Sequence, residues 1–275
     1  MDIRVGYDIV INSPTPVGML LLLYTHPSRA KDLKTPEKLK LEPNIPIEEF
    51  IDSFGNRCAR ILTPVGQLRL YNDIIINDNG KPDPLNWKAI QYPISQLPSE
   101  TLQYLLASRY CEVDLLSEVA WSLFGETTPG WARVQAICDW IHSNITYGYE
   151  YTYPHKTAYQ VYTERAGVCR DFTHLAITFC RCLNIPARYC AGYLGDIGVE
   201  PLTTPMDFHA WFEVFLGGQW YAFDARHNRP RIGRILMVRG RDATDTAFMT
   251  SFGAYELVQL KVWALEMKTY QISAA

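Results

Sequence analysis

The chain of 275 residues lacks several features that would fix its class at once. No apolar run approaches the roughly 18 residues a membrane-spanning helix needs. The longest early run, Met19 to Tyr24, has the length of a strand. The opening Met1-Asp2-Ile3-Arg4 does not follow the basic-then-apolar order of an export signal. Charge is nearly balanced: 26 Lys and Arg against 29 Asp and Glu leave −3. No basic field therefore draws the chain to nucleic acid or anionic lipid. No C-x-x-C pair occurs, and Cys180 and Cys182, two apart on a helix, would point about 200° apart. A zinc site is not expected from that spacing. Seven scattered cysteines form no obvious disulfide framework, so reduced thiols and a cytoplasmic address are the expectation. Repeats and low-complexity tracts are absent. What remains is an ordinary globular balance, 48% hydrophobic and 20% charged, at a length that suits one or two domains.

The first part alternates in the manner of strands. Ile3, Val5, Tyr7, Ile9 and Ile11 fall on one face, with Arg4, Asp8 and Asn12 among the residues between them. Val17 to Tyr24 makes a second run, and residues 29–46 read as a long charged loop. Phe50 to Leu62 predicts a hairpin turning near Phe54-Gly55-Asn56-Arg57, and Leu68 to Tyr71 and Ile74 to Ile76 predict two more strands. Residues 1–95 are thus expected to form an antiparallel β-sandwich.

Beyond residue 96 the spacing turns helical. A helix is expected from Pro98-Ser99-Glu100, another over Val113 to Phe124, and a third started by Thr128-Pro129. Thr157 to Arg165 and the apolar stretch Gly167 to Leu183 follow. Then come strands at Ala187 to Tyr193, Phe208 to Leu216, Gln219 to Asp224, Ile235 to Val238 and Tyr255 to Glu266. Helices first and strands second predict an α+β core over residues 96–275.

Chemistry concentrates in three blocks of that core. Cys169 opens a helix, where free backbone N–H groups and the positive end of the dipole stabilise a thiolate. The helix is apolar nearly all round, so its start lies in a cleft wall. Asp207 to Val214 and Trp220 to Asp224 flank Gly217-Gly218, a two-residue hairpin signal. If Leu216 pairs with Gln219, Asp224 falls opposite Trp211, on the same face as His209 and two residues from it. A thiol at a helix start with a His and Asp on one sheet face is the grouping thiol acyl transfer requires. Asp207 shares the strand and face of His209, so it cannot partner that imidazole from across the hairpin. Asp171 reads as a first-turn acid, His174 as lying off the Cys169 face of the helix, and the run Arg226, Arg229, Arg231, Arg234 as a solvated loop, with contact to an acidic substrate group as the alternative.

These blocks resemble the transglutaminase-like superfamily of papain-type thiol enzymes. The likeness rests on residues 165–172, on Asn184-Ile185-Pro186-Ala187-Arg188-Tyr189 with Gly192-Tyr193, and on residues 209–214 through Trp220 and Phe223-Asp224. Residues 240–245, the stretch 104–112 and the N-terminal strands with Phe54-Gly55-Asn56 extend it over nearly the whole chain. The resemblance implies Cys169 as nucleophile, His209 as base and Asp224 as orienting carboxylate, with no cofactor and no metal. It also implies a peptide or amide substrate and a thioester intermediate, hydrolysed by water or passed to an amine. Bacterial members with an N-terminal β-domain are often called candidate cysteine proteases, which makes a peptidase or amidase the first expectation. Transglutaminase-type transfer to an amine is the alternative, and a non-catalytic peptide-binding or assembly module is another. The family usually follows its Asp with Pro-Thr, whereas Ala225-Arg226 stands here. Gln160, Tyr162, Trp131 and Trp140 are the right types for a second oxyanion donor beside the Cys169 N–H, and spacing selects none of them.

Overall fold

The computed structural model describes residues 1–201 and 205–267. The N-terminal part forms β1 (Asp2–Ser13), β2 (Gly18–Leu21), β3 (Lys40–Glu42), β4 (Glu48–Ile51), β5 (Arg57–Leu62) and β6 (Gly66–Asn77). The apolar alternation of β1 is real: Ile3, Val5, Tyr7, Ile9 and Ile11 are all buried. Where two strands were expected over residues 68–76 there is one. Asn72 and Asp73 break the apolar pattern but not the strand, because each finds a polar partner. Asn72 donates to the buried Glu37 at 3.3 Å, and Asp73 accepts from Arg4 at 2.7 and 2.8 Å. The expected loop at 29–46 also carries β3, and Glu37 within it accepts from the Thr25 N–H and hydroxyl at 2.9 and 2.8 Å.

The middle of the chain is helical, with α1 (Val113–Phe124), α2 (Trp131–Asn144), α3 (Ala158–Glu164) and α4 (Cys169–Cys182). Two starts differ from expectation. The Pro98 segment is a 3-10 helix over Ser99–Leu105, since the Pro98 carbonyl accepts from both the N–H and the hydroxyl of Thr101. α2 begins at Trp131 rather than after Thr128. Gly130 takes φ +100° there, and a Cβ on it would lie 2.4 Å from the Ala89 carbonyl oxygen, which accepts the Trp131 N–H. Two short parallel strands, β7 (Thr146–Tyr147) and β8 (Ala166–Gly167), bring the chain to the start of α4.

The remaining strands are β9 (Ala187–Leu194), β10 (His209–Leu216), β11 (Gln219–Phe223), β12 (Arg234–Gly240), β13 (Met249–Ser251) and β14 (Glu256–Met267). The core sheet runs β11-β10-β9-β12, all antiparallel, with α4 packed on β9 and β10. Every residue of α4 from Asp171 to Cys182 is buried. The hairpin register is as expected: Leu216 pairs with Gln219 and Phe212 with Phe223, around Gly217 and Gly218 at φ +56° and +85°. Positive φ at both turn residues matches the twist of the flanking strands.

The chain end goes elsewhere than the core sheet. β14 pairs with β1 in the sheet β14-β1-β6-β3, and β13 pairs with β2 in β13-β2-β5-β4. The strand expected over Tyr255 to Glu266 therefore completes an N-terminal sheet, so a linear division at residue 95 cuts across both of these sheets. Local pattern reveals a strand but not its partner when the two are separated by most of the chain. One continuous hydrophobic core joins all three four-stranded sheets to the helices.

Candidate active site

Three elements deliver the three expected side chains. Cys169 is the first residue of α4, His209 the first of β10, and Asp224 follows the last residue of β11. The helix start is held by a buried carboxylate. Asp171 accepts from the Val168 N–H at 3.0 Å, from the Thr152 hydroxyl at 2.8 Å, and from Arg170 at 2.8 and 2.9 Å. This first-turn acid caps the helix and also ties down the 149–153 segment beside the thiol. The Cys169 N–H belongs to the unpaired first turn of α4 and is available to a ligand.

His209 Nε2 hydrogen-bonds Asp224 Oδ2 at 2.7 Å, which leaves Nδ1 as the ring nitrogen open to the Cys169 thiol. Both side chains are buried. Burial disfavours the imidazolium, but the Asp224 charge and hydrogen bond, with a further contribution from Cys169, leave the His209 pKa raised overall. Burial pushes Asp224 up. His209, Arg234 and His227 together outweigh it and hold the carboxyl well below its ordinary range.

Asp224 has more partners than a hairpin argument foresees. Its Oδ1 accepts the N–H groups of Arg226 and His227 at 3.2 and 3.1 Å. Its Oδ2 also meets Arg234 at 3.4 Å. The expectation of a solvated basic loop fails here. The Arg231 and Arg234 side chains are buried, and Arg226 lies 3.7 Å from the centre of the Tyr147 ring. Arg234 is drawn inward by two carboxylates, Asp224 and Asp83, the latter at 3.0 Å. Arginines spaced this way look exposed in sequence because their acidic partners lie up to 151 positions away. His227 stands 5.0 Å from His209 between ring centres, and burial lowers its pKa to about 3. His209, Asp224 and His227 offer ligand atoms within 4.8 Å of one another, but the Arg234 charge beside them opposes a cation.

Two cavities, of about 410 and 260 Å³, meet at Cys169, Asp207, Phe208 and His209. Tyr149 borders both. The larger is walled by the end of β9 and by Ala264, Leu265 and Glu266 of β14. The smaller is apolar, lined among others by Ile9, Phe248, Met249 and Leu260. The N-terminal sheet, completed by β14, thus contributes a wall to the thiol cleft. None of Gln160, Tyr162, Trp131 and Trp140 borders either cavity. Gln160 caps α3 by accepting from the Thr157 N–H, and Trp140 and Tyr162 stack on each other. Tyr149, unremarked in sequence, holds the place beside the thiol that those four do not. The six other cysteines are buried, and burial raises their thiol pKa values, Cys111 to about 11 and Cys58 and Cys182 to about 12. His174 is a core residue, stacked on Tyr110 and accepting from the Ala243 N–H.

Residues 118–225 match the family model of the transglutaminase-like superfamily. The crystal structure of a candidate cysteine protease from Cytophaga hutchinsonii has a TM-score of 0.85 to this chain at 31% identity, covering 98% of this chain and 91% of that one. The chain belongs to the transglutaminase-like superfamily. It therefore falls in a family of thiol enzymes with the papain-like fold. Among curated relatives, an uncharacterized protein of Mycobacterium leprae is 32% identical over 117 residues, 42% of each chain. The chain thus spans less than half the length of that relative. An uncharacterized protein of Mycobacterium tuberculosis is 26% identical over 220 residues, 70% of this chain and 68% of the relative. No helix among the described residues is long and apolar enough to cross a membrane.

Proposed function

We propose that the protein is a cysteine-dependent amide hydrolase, a peptidase or amidase acting through a thioester on Cys169. The observation that carries this reading is the buried 2.7 Å hydrogen bond from His209 Nε2 to Asp224, which leaves Nδ1 to serve the one cysteine bordering the cleft. In the reaction, Cys169 Sγ attacks the amide carbonyl carbon as its proton passes to His209 Nδ1. Asp224 holds the ring and stabilises the imidazolium. The Cys169 N–H donates to the oxyanion, with Tyr149, which borders both cavities, as a candidate for a second donor. Collapse breaks the C–N bond, His209 protonates the leaving amine, and a water molecule then hydrolyses the thioester with His209 as base. Seven unpaired cysteines accord with a reducing compartment such as the cytoplasm.

The test compares two products from one glutamine-containing peptide library: free ammonia or amine, and a labelled primary amine incorporated into the peptide. Hydrolysis predicts release in excess of incorporation, and Cys169→Ala abolishes both. Faster incorporation than release replaces the hydrolase reading with transamidation. Release that survives Cys169→Ala removes the thiol from the mechanism.

A further inference from the structure

Asp207 borders both cavities that meet at the thiol. It lies two residues before His209, close enough for each charge to act on the other. Among the described residues its one polar partner is the N–H of its neighbour Phe208, at 2.7 Å, and no Lys or Arg pairs with it. That is unusual for this protein. Two buried carboxylates close in sequence to the thiol and the imidazole's hairpin, Asp171 and Asp224, each meet an arginine as well as backbone N–H. Burial raises the Asp207 pKa, outweighing the lowering effects of the Phe208 N–H and the His209 charge. The larger cavity is also lined by Asp196, which meets Arg231 at 3.6 Å, by Glu266, and by Arg226, which is stacked on Tyr147.

We infer that Asp207 is a specificity-determining residue that receives a primary ammonium group carried by the substrate beside the reacting carbonyl. This inference rests on the cleft around Cys169 being the substrate site. The ammonium would supply a cation that no described Lys or Arg gives Asp207, forming a charge-assisted hydrogen bond in a partly desolvated place. A free α-amino group and a lysine side chain share this chemistry. A neutral or N-blocked substrate would offer the half-buried carboxylate no such cation.

The experiment needs no turnover, so it separates this inference from the proposed reaction. Cys169 is alkylated with 2-bromoethylammonium and, separately, with neutral iodoacetamide. In each case Sγ forms the new S–C bond and the halide leaves. The rate ratio, cationic over neutral, is compared with that of N-acetylcysteine under the same conditions. The ratio for the wild-type protein is expected to exceed that of the free thiol by about tenfold, equivalent to about 1.4 kcal/mol. Asp207→Asn brings it down to the free-thiol value, and Asp207→Glu restores part of it. A wild-type ratio equal to that of N-acetylcysteine overturns the inference without any variant, as does a full preference kept by folded Asp207→Asn. Protection of Cys169 from iodoacetamide by Ala-Ala-amide, by acetyl-Lys-Ala-amide and by acetyl-Ala-Ala-amide then identifies the source. The first protects if an α-amine is read, the second if a lysine is read, and protection by the third equal to the others overturns the inference. If the cationic preference holds while no amide is ever cleaved, the ammonium site stands and the hydrolase reading falls.

Discussion

Asp224→Asn puts the triad geometry to a direct test. Four donors converge on this carboxylate: the Arg226 and His227 N–H groups on Oδ1, and His209 and Arg234 on Oδ2. Asparagine offers one acceptor oxygen and an NH2 that can only donate. Placing the oxygen toward the two backbone donors turns the NH2 to His209 and Arg234. The imidazole must then accept at Nε2 and keep its proton on Nδ1, the nitrogen proposed to take the thiol proton. The reverse placement faces two backbone donors with another donor. A hydrogen bond to a charged group contributes about 1.5–3 kcal/mol, so the thiolate–imidazolium pair becomes about 10- to 150-fold less populated. The assay is the second-order rate of Cys169 alkylation by iodoacetamide at about pH 6, below the ordinary thiol range, where reaction depends on that pair. Peptide mapping confirms the site. The rate is expected to fall at least tenfold, and turnover of any amide substrate by about 10³- to 10⁴-fold. A folded variant alkylated within about twofold of wild type would refute the argument, since so small a change leaves no room for a lost charge-assisted bond.

Further expectations follow from the same contacts. Arg234→Met leaves the buried Asp224 and the half-buried Asp83 without their shared cation and should cost about 3–5 kcal/mol in urea unfolding; an unchanged midpoint would show that the arginine is dispensable. His26, His174 and His227 are held neutral by burial, with pKa values lowered to about 4, 3 and 3. The unfolded chain protonates them near pH 6.5, so it binds more protons than the folded one below that value, and stability falls with acid by up to about 1.4 kcal/mol per pH unit for each group. Urea midpoints between about pH 7 and 5 should decline accordingly, less steeply in His174→Gln, and a flat series would contradict the buried neutral state. Asp224 adds to the loss further down: its lowered pKa contributes stability above its unfolded value near 3.9 that disappears as pH falls through the folded one. Limited iodoacetamide treatment should modify Cys169 before the six buried cysteines, and equal labelling of Cys58 or Cys182 would speak against the burial of those thiols.

The cleft gives the N-terminal strands a functional place. Ile9 of β1 and Leu260 and Leu265 of β14 line the two cavities that meet at Cys169. A substitution there, such as Leu260→Ala, should alter substrate preference more than the alkylation rate of the thiol. The paired strands β14 and β1 therefore line the cleft as well as supporting the core.

Much of this protein is written locally. Alternation along Ile3 to Ile11 sets a strand, the apolar circumference of residues 169–182 sets a buried helix, and Gly217-Gly218 sets a two-residue turn. From that turn alone, the period-2 rule places Asp224 beside His209, because strand geometry leaves one register free of conflict. Neighbours in sequence determine these features, so the sequence suffices for them. The rest depends on which distant segments meet. Arg231 and Arg234 are buried because Asp83, Asp224 and Asp196 surround them, and no spacing within residues 226–234 encodes those partners. β14 closes the N-terminal sheet and the cleft wall because β1 has an unpaired edge to cover, a demand that arises only once the chain has folded back on itself. Asp207 becomes a candidate ammonium receptor for the same reason: its parity with His209 is local, but that no described Lys or Arg pairs with it depends on what is packed around it.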